Sequence, residues 1–542
     1  MISISINERI TSLWIAIFVY FILTSSISLS YYWGYMSSIN DLGTFDQAVW
    51  GTLHGDFFLN THNMFNVPIN YFGIHFRPIL LIFLPFYALL PRPEWMILSQ
   101  SLALSLTAWA IYLLAKRVSK SETAAFFWVI IYMINPFVMS VPPWIFRPIS
   151  LAVPFIIFSM LAIEESNFPL LLISCFFIVL CKEHLGIMVI GFGILWVIRN
   201  RKWKQGILLV SFGAIYTILV LGAIMPALSP TGEHVMLGKG LGQVSRYSWL
   251  GGSLKEVFQT LLFHPIFVIK TAMLKMGGGN YLLLLLIFLC GLPLVAPEFI
   301  LPGLADLSAN MLSANPMPRA IIAYHTVCLV PVIIVAAVYG AERISRWSKK
   351  NPIKELASFV LIVSLVGGYF LSPLPLPGAR NFWKPAHFIN LPDPIVKKVR
   401  SAVGKEASVS AQANIGSHFS QRRNIYLYPN KLGEVDAIIL RLRSPTNNIN
   451  NLPEKIKKHR KYVIGSLDAH LQMDRTEYIA SIESLLSNSE YKILLWNDPW
   501  LVMKRGVMNR EAKEVAEVEQ RLAHLRIKWQ IDPGENFKFK GQ

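Results

Sequence analysis

Charge is scarce in this chain: 15% of its 542 residues are Asp, Glu, Lys or Arg, against 54% hydrophobic residues. A soluble chain of this length carries more charge, so an ordinary water-soluble enzyme is excluded. Cysteine is nearly absent. Cys175, Cys181, Cys290 and Cys328 all lie in apolar runs, without metal-ligand spacing or evident pairing, and read as small buried hydrophobes. No internal repeat of useful period is visible. Lys and Arg are missing altogether from Tyr32 to His75, a segment that nevertheless holds three Asp and three His.

What is present is a series of apolar runs long enough to cross a bilayer. They do not alternate like strands, so the spans are helices and the protein is a polytopic α-helical membrane protein. Arg9 precedes the run Ile10–Leu29, which lacks a clean small-x-small site and reads as an uncleaved first span. Basic clusters at Lys116–Lys120, Arg199–Lys204 and Arg343–Lys354 mark cytoplasmic ends. Together these give about eleven spans up to residue 371, with the N-terminus cytoplasmic and the C-terminal part outside. The stretch 75–90 is short and reads as re-entrant or interfacial, 256–275 as a crossing or a surface helix, and 280–297 as a crossing. The net charge of +18 falls largely in short loops, where orientation and anionic lipid explain it better than nucleic acid does.

From Ser372 the composition changes. Pro373, Pro375 and Pro377 stiffen a linker over 372–379. Residues 380–508 read as a small extracytoplasmic α/β domain, with strands at 407–411, 424–428, 436–442, 462–464, 491–496 and 500–504. Helices are expected at 414–421 and 476–486, and 509–542 reads as a charged helix with a disordered end. No glycine-rich phosphate loop or catalytic triad appears in this domain.

Within Asp41-Leu42-Gly43-Thr44-Phe45-Asp46-Gln47, two carboxylates lie five residues apart in the cation-free first outer loop, 32–75. Asp41 suits a helix cap and also a general base. Once sidedness is assigned, Asp41, Asp46, His75, Arg77, Arg147, Lys182, Glu183, Arg246, Arg319 and His325 all fall at the outer face, while the cytoplasmic side carries only stop-transfer clusters. Carboxylates accept protons, and Arg and Lys hold phosphate, so the set suits transfer from a lipid-linked phosphate donor. Plainer roles stand beside this one: headgroup contacts for Arg77 and Arg147, an ion pair for Lys182–Glu183, a structural hydrogen bond for His325. No metal site is assigned, though His54, Asp56 and His62 leave a divalent metal open.

Four segments carry a resemblance: the 41–47 stretch, His75-Phe76-Arg77-Pro78, Lys182-Glu183-His184-Leu185-Gly186 and Arg246-Tyr247-Ser248. With Ser408–Gln412 and His418–Ser420, they resemble a family of predicted bacterial and archaeal membrane proteins catalogued as a domain of unknown function, over about residues 30–505. That family is similar to the GT-C superfamily of polyprenyl-phosphate-dependent glycosyltransferases. The resemblance implies a GT-C-like fold and a base at Asp41 or Asp46. Two positions depart from the pattern: Arg147-Pro148-Ile149 stands where His-Pro-Glu is expected, and Lys182-Glu183-His184 where Lys-Glu-Asp is usual.

The expected function is a glycosyltransferase at the outer face of the plasma membrane, with a polyprenyl-phosphate-linked sugar as donor, membrane lipids as surroundings and an acceptor the sequence does not name. The rivals are a lipid or solute transporter and a non-enzymatic scaffold whose outer domain binds a partner.

Overall fold

The structure is a computed structural model that describes residues 6–63, 65–235, 244–348, 350–371, 389–443, 467–488, 490–506, 512–529 and 531. The expected linker 372–379, the strand 462–464 and the end of the C-terminal tail lie outside these residues. The chain forms two compact units. One comprises Met1–Leu29, Phe72–Ile82 and Glu94–Phe388; the other comprises Ser30–Tyr71, Phe83–Pro93 and Ile389–Gln542.

The first unit is helical. Four helices are long and apolar enough to cross a membrane: Ile10–Trp33, Glu94–Ser119, Trp203–Leu228 and Ile353–Leu371. The number rises to six if each of two bent pairs is one span. Shorter apolar helices follow at Pro148–Glu164, Phe168–Cys181 and Leu185–Asn200. Of the roughly eleven spans expected, four to six are helices long and apolar enough by length and composition, and proline interrupts several of the other runs. Glu122–Ile134 bends by 47° into Pro136–Trp144, where Asn135 caps the new helix through Phe137 N–H. Lys255–Phe263 bends by 95° into Pro265–Lys275. The run expected to cross at 280–297 is helical only over Gly278–Ile287, ending before Gly291 at φ +70° and Pro293.

The helix Leu329–Trp347 is buried at every position from Leu329 to Ala341. It is apolar all round because it is packed all round. By contrast, Ile215 and Ile218 of Trp203–Leu228, and Phe359 and Ile362 of Ile353–Leu371, are exposed, as a lipid-facing stripe requires. Leu185–Asn200 and Trp203–Leu219 approach through glycines. A Cβ at Gly213 would lie 2.4 Å from Gly186 O, and one at Gly186 2.7 Å from Gly213 O.

The second unit is built on a five-stranded sheet. After a short hairpin of β1 (Leu59–Asn60) and β2 (Ile69–Asn70) come β3 (Val409–Ala411), β4 (Ile425–Leu427), β5 (Ala437–Arg441), β6 (Tyr491–Asn497) and β7 (Trp500–Arg505). Their order is β4-β3-β5-β7-β6; β3 runs parallel to β4 and β5, and β7 antiparallel to β5 and β6. Both faces are covered, so alternate residues serve different cores. Ile438, Leu440, Leu501 and Met503 pack with helices Arg475–Ser487 and Ala512–Trp529. Ala437, Ile439, Trp500 and Val502 pack with helix Pro394–Val403 and with Tyr35 and Ile39. The helix expected over 414–421 is a single tight turn, Gly416–His418, because Gly416 abuts Ile39: a Cβ there would meet that side chain at 2.6 Å.

Gly213→Ala is expected to destabilise the protein by about 1–3 kcal/mol through overpacking. Gly222→Ala, with nothing within 4 Å of its Cβ, is expected to leave it unchanged. Thermal unfolding of the two purified variants in one detergent compares them directly.

Candidate functional site

The candidate residues fall into one group in each unit. In the first unit the centre is the break between helices Phe168–Cys181 and Leu185–Asn200. Lys182 ends the first helix in extended conformation, φ −167° and ψ 145°, so Glu183 and His184 are carried on a turn and not on a helix face. His75 Nδ1 lies 2.9 Å from Glu183 Oε1. Burial would raise the Glu183 carboxyl, but its hydrogen bond with His75 and the charges of Lys182 and Arg77 more than offset this, so its pKa is lowered. A carboxylate only accepts, so His75 donates from Nδ1. Burial and then the Arg77 charge bring the His75 pKa down to about 4, leaving the ring neutral at pH 7.

The next residue makes a second pair, which the sequence did not single out. His184 Nε2 donates to Asp306 Oδ1 at 3.1 Å. Its only sequence signal is an ionisable residue, Asp306, inside an apolar run. Glu183 and Asp306 are 8% and 9% exposed, and each keeps one buried oxygen without a hydrogen-bond partner among the described residues. A ligand hydroxyl or amine would satisfy such an oxygen.

The cations of this unit divide by what already holds them. Arg319 donates from Nη1 to the carbonyls of Asn310 and Ser313 at 2.7 and 2.6 Å, closing the end of helix Leu304–Leu312. The Arg147 guanidinium lies 4.9 Å from the Trp144 ring and 4.4 Å from that of Tyr324, a cation against two rings that themselves meet edge-to-face at 5.3 Å. Its backbone N–H donates to Gln100, which also donates to Ile145 O. Ile145, at φ +66°, is a β-branched residue in a strained conformation, and Gln100 pins it. Arg77 is buried, and its charge bears on both His75 and Glu183. Lys182 and Arg246 differ: neither side chain has a hydrogen bond or ion pair among the described residues. Both, with Arg147, act on His325, whose protonation is disfavoured first by burial and then by these three charges.

In the second unit, Asp46 is 1% exposed on helix Thr44–Leu53. Its Oδ1 accepts from Tyr87 at 2.8 Å and from Gln421 at 3.0 Å, and its Oδ2 lies 2.6 Å from Ser420 Oγ. Ser420 Oγ is also 3.0 Å from Ser417 O. Its single proton goes to the ionised carboxylate, or to Ser417 when Asp46 is protonated and donates in turn, so either state is satisfied. Burial raises the Asp46 pKa, and the three side-chain donors moderate this. Asp41 is half-buried on the turn Ile39–Gly43, which Ser38 caps through Asn40 N–H. Ile39 N–H donates to Ala413 O at 2.8 Å, so the turn is held to the sheet unit.

His54, Asp56 and His62 are not brought together. His62 Nε2 lies 2.8 Å from Thr44 Oγ1, His54 stacks on Trp50, and Asp56 pairs with Arg423. Among the described residues no group of three or more His, Cys, Asp or Glu is arranged to hold a metal ion.

Residues 32–498 match the family described as predicted membrane protein (DUF2079). The chain belongs to that family. No curated protein matches it. Among solved structures it is similar to ArnT from Cupriavidus metallidurans bound to undecaprenyl phosphate, at 9% identity and a TM-score of 0.49, over 92% of this chain and 98% of that one. The apo state of ArnT from the same organism gives 9% identity and 0.44, over 89% and 97%.

Asp46→Asn mimics the protonated carboxyl and is expected to fold near wild-type stability at pH 7, whereas Asp46→Ala removes the buried acceptor that Tyr87, Ser420 and Gln421 share and is expected to cost about 2–4 kcal/mol. A carboxyl raised in the folded state contributes most stability below its ordinary 3.8 and loses it as pH rises through the raised value. Chemical unfolding across pH 3–7 should therefore show a downward slope in the wild type that Asp46→Asn lacks.

Proposed function

We propose that this DUF2079 protein is a membrane glycosyltransferase that takes a sugar from a polyprenyl-phosphate-linked donor at the outer face of the plasma membrane. The observation that carries the reading is the pair of cations Lys182 and Arg246, whose side chains have no hydrogen bond or ion pair among the described residues and whose charges, with that of Arg147, act on His325. Positive charge left unpaired in a half-buried site is a standing place for an anion, and a departing phosphate brings one. Lys182 and Arg246 receive the phosphate. Arg77, Arg147 and Arg319 shape the ground around it, each already held by its own surroundings.

Transfer also needs a base for the acceptor hydroxyl. Asp41 takes that role, because Asp46 is enclosed by Tyr87, Ser420 and Gln421 and serves to fix the loop. In such a transfer the base accepts the hydroxyl proton, the oxygen attacks the anomeric carbon, and the bond to the lipid phosphate breaks, its electron pair leaving on the phosphate oxygen.

A transporter draws support from the spans broken at Asn135–Pro136 and His264–Pro265. Uptake of a sugar lipid into proteoliposomes without covalent product would favour it.

Purified protein is expected to transfer label from a polyprenyl-phosphate sugar. Lys182→Ala and Arg246→Ala should each lower kcat/KM by about 10–100-fold, the worth of a charge-assisted hydrogen bond. Asp41→Asn should lower kcat by about 10²–10⁴-fold. Undiminished turnover in Asp41→Asn would remove the base, and in both cation variants the phosphate site.

A further inference from the structure

A cavity of about 820 Å³ in the second unit takes no part in the site described above. Its walls are Asn66, the turn Pro429–Glu434 that follows β4, Gln472 and Met473 with one face of helix Arg475–Ser487, and Asn488, Glu490 and Tyr491. The volume lies in the range of small-molecule sites. Its polar lining is mostly uncharged: Asn66, Asn430, Gln472, Ser484 and Asn488. Amides and hydroxyls donate and accept side by side, which matches sugar hydroxyls that do the same. Leu432, Met473 and Leu485 supply an apolar floor for the C–H face of a sugar ring.

The charges in the wall point the same way. Lys431 is paired with Glu434, and Glu490 with Arg505. Glu477 remains, half-buried, as a carboxylate with no ion pair among the described residues. An anionic ligand would be repelled here, so this is not a second phosphate site.

The wall also reaches the turn that carries the proposed base. Gln472 Oε1 accepts from Asn40 Nδ2 at 2.6 Å, and Gln472 Nε2 donates to Ser38 Oγ at 2.9 Å. Ser38 and Asn40 belong to the turn that carries Asp41. Gln472 holds a left-handed backbone, φ +56°, which a non-glycine residue adopts only when its surroundings impose it.

We infer that this cavity is the acceptor subsite and that its ligand is an uncharged carbohydrate, aligned to Asp41 by the Gln472 wall. The inference rests on the transferase reading and gives its acceptor a chemical class. The test uses the full chain in lipid nanodiscs and saturation-transfer NMR. The probes are uncharged di- and trisaccharides of glucose, galactose, mannose and N-acetylglucosamine, with sulfated versions of each. At least one uncharged probe should bind, about tenfold or more tightly than its sulfated form. Ser484→Trp, at an exposed wall position, should abolish that signal without moving the unfolding temperature. Glu477→Gln should narrow the preference over the sulfated form severalfold. Failure of every uncharged probe, equal binding of sulfated ones, or a signal unchanged in Ser484→Trp overturns the inference. The two readings separate cleanly. Sugar binding lost in Ser484→Trp, in protein that transfers nothing from the lipid donor, sinks the transferase and keeps the cavity. Undiminished transfer by Ser484→Trp sinks the cavity and keeps the transferase.

Discussion

A charge withdrawn from water has to be met within a few ångströms by an opposite charge or by hydrogen bonds. Around Lys182–His184 that requirement organises the polar part of the helical unit. Two helices stop there, and the turn between them sends Glu183 to His75 and His184 to Asp306. Had the helix continued, adjacent residues would have faced about 100° apart around one axis. The break lets two neighbouring residues serve two separate partners. Lys182, at the same turn, has no side-chain hydrogen bond or ion pair among the described residues, and its charge bears on Glu183.

The same requirement separates structural cations from available ones. Arg319 spends its donors on the open carbonyls at a helix end, a need every helix has. Arg147 lies against the Trp144 and Tyr324 rings, with its backbone pinned by Gln100. In the proposed transferase such held cations would stand beside the available ones, since donors that have to reorganise lose much of their effect.

Asp46 shows the principle in the sheet unit. Three side-chain donors, from helix Leu84–Leu89 and from the segment after the Gly416–His418 turn, meet one buried carboxyl. The seven-residue stretch 41–47 thus holds two carboxylates with different surroundings: one enclosed and structural, one half-buried on a turn. Their spacing in the chain did not distinguish them; their neighbours do.

The membrane character, the helix ends and much of the sheet were legible in the sequence, because hydropathy, basic clusters and alternation are local signals. β5 lies within the expected 436–442 and β7 close to the expected 500–504. The straightness of the spans was not legible. A proline marks a break, but whether the helix turns by 47° or 95° depends on what it packs against. Nor was the membership of the second unit, which gathers residues 30–71 and 83–93 with residues beyond 388. Which of several plausible cations lacks a partner among the described residues, and which of two carboxylates is enclosed, was decided only by tertiary structure. Those partners are brought together from distant parts of the chain by packing, and no local pattern records whom a side chain will meet.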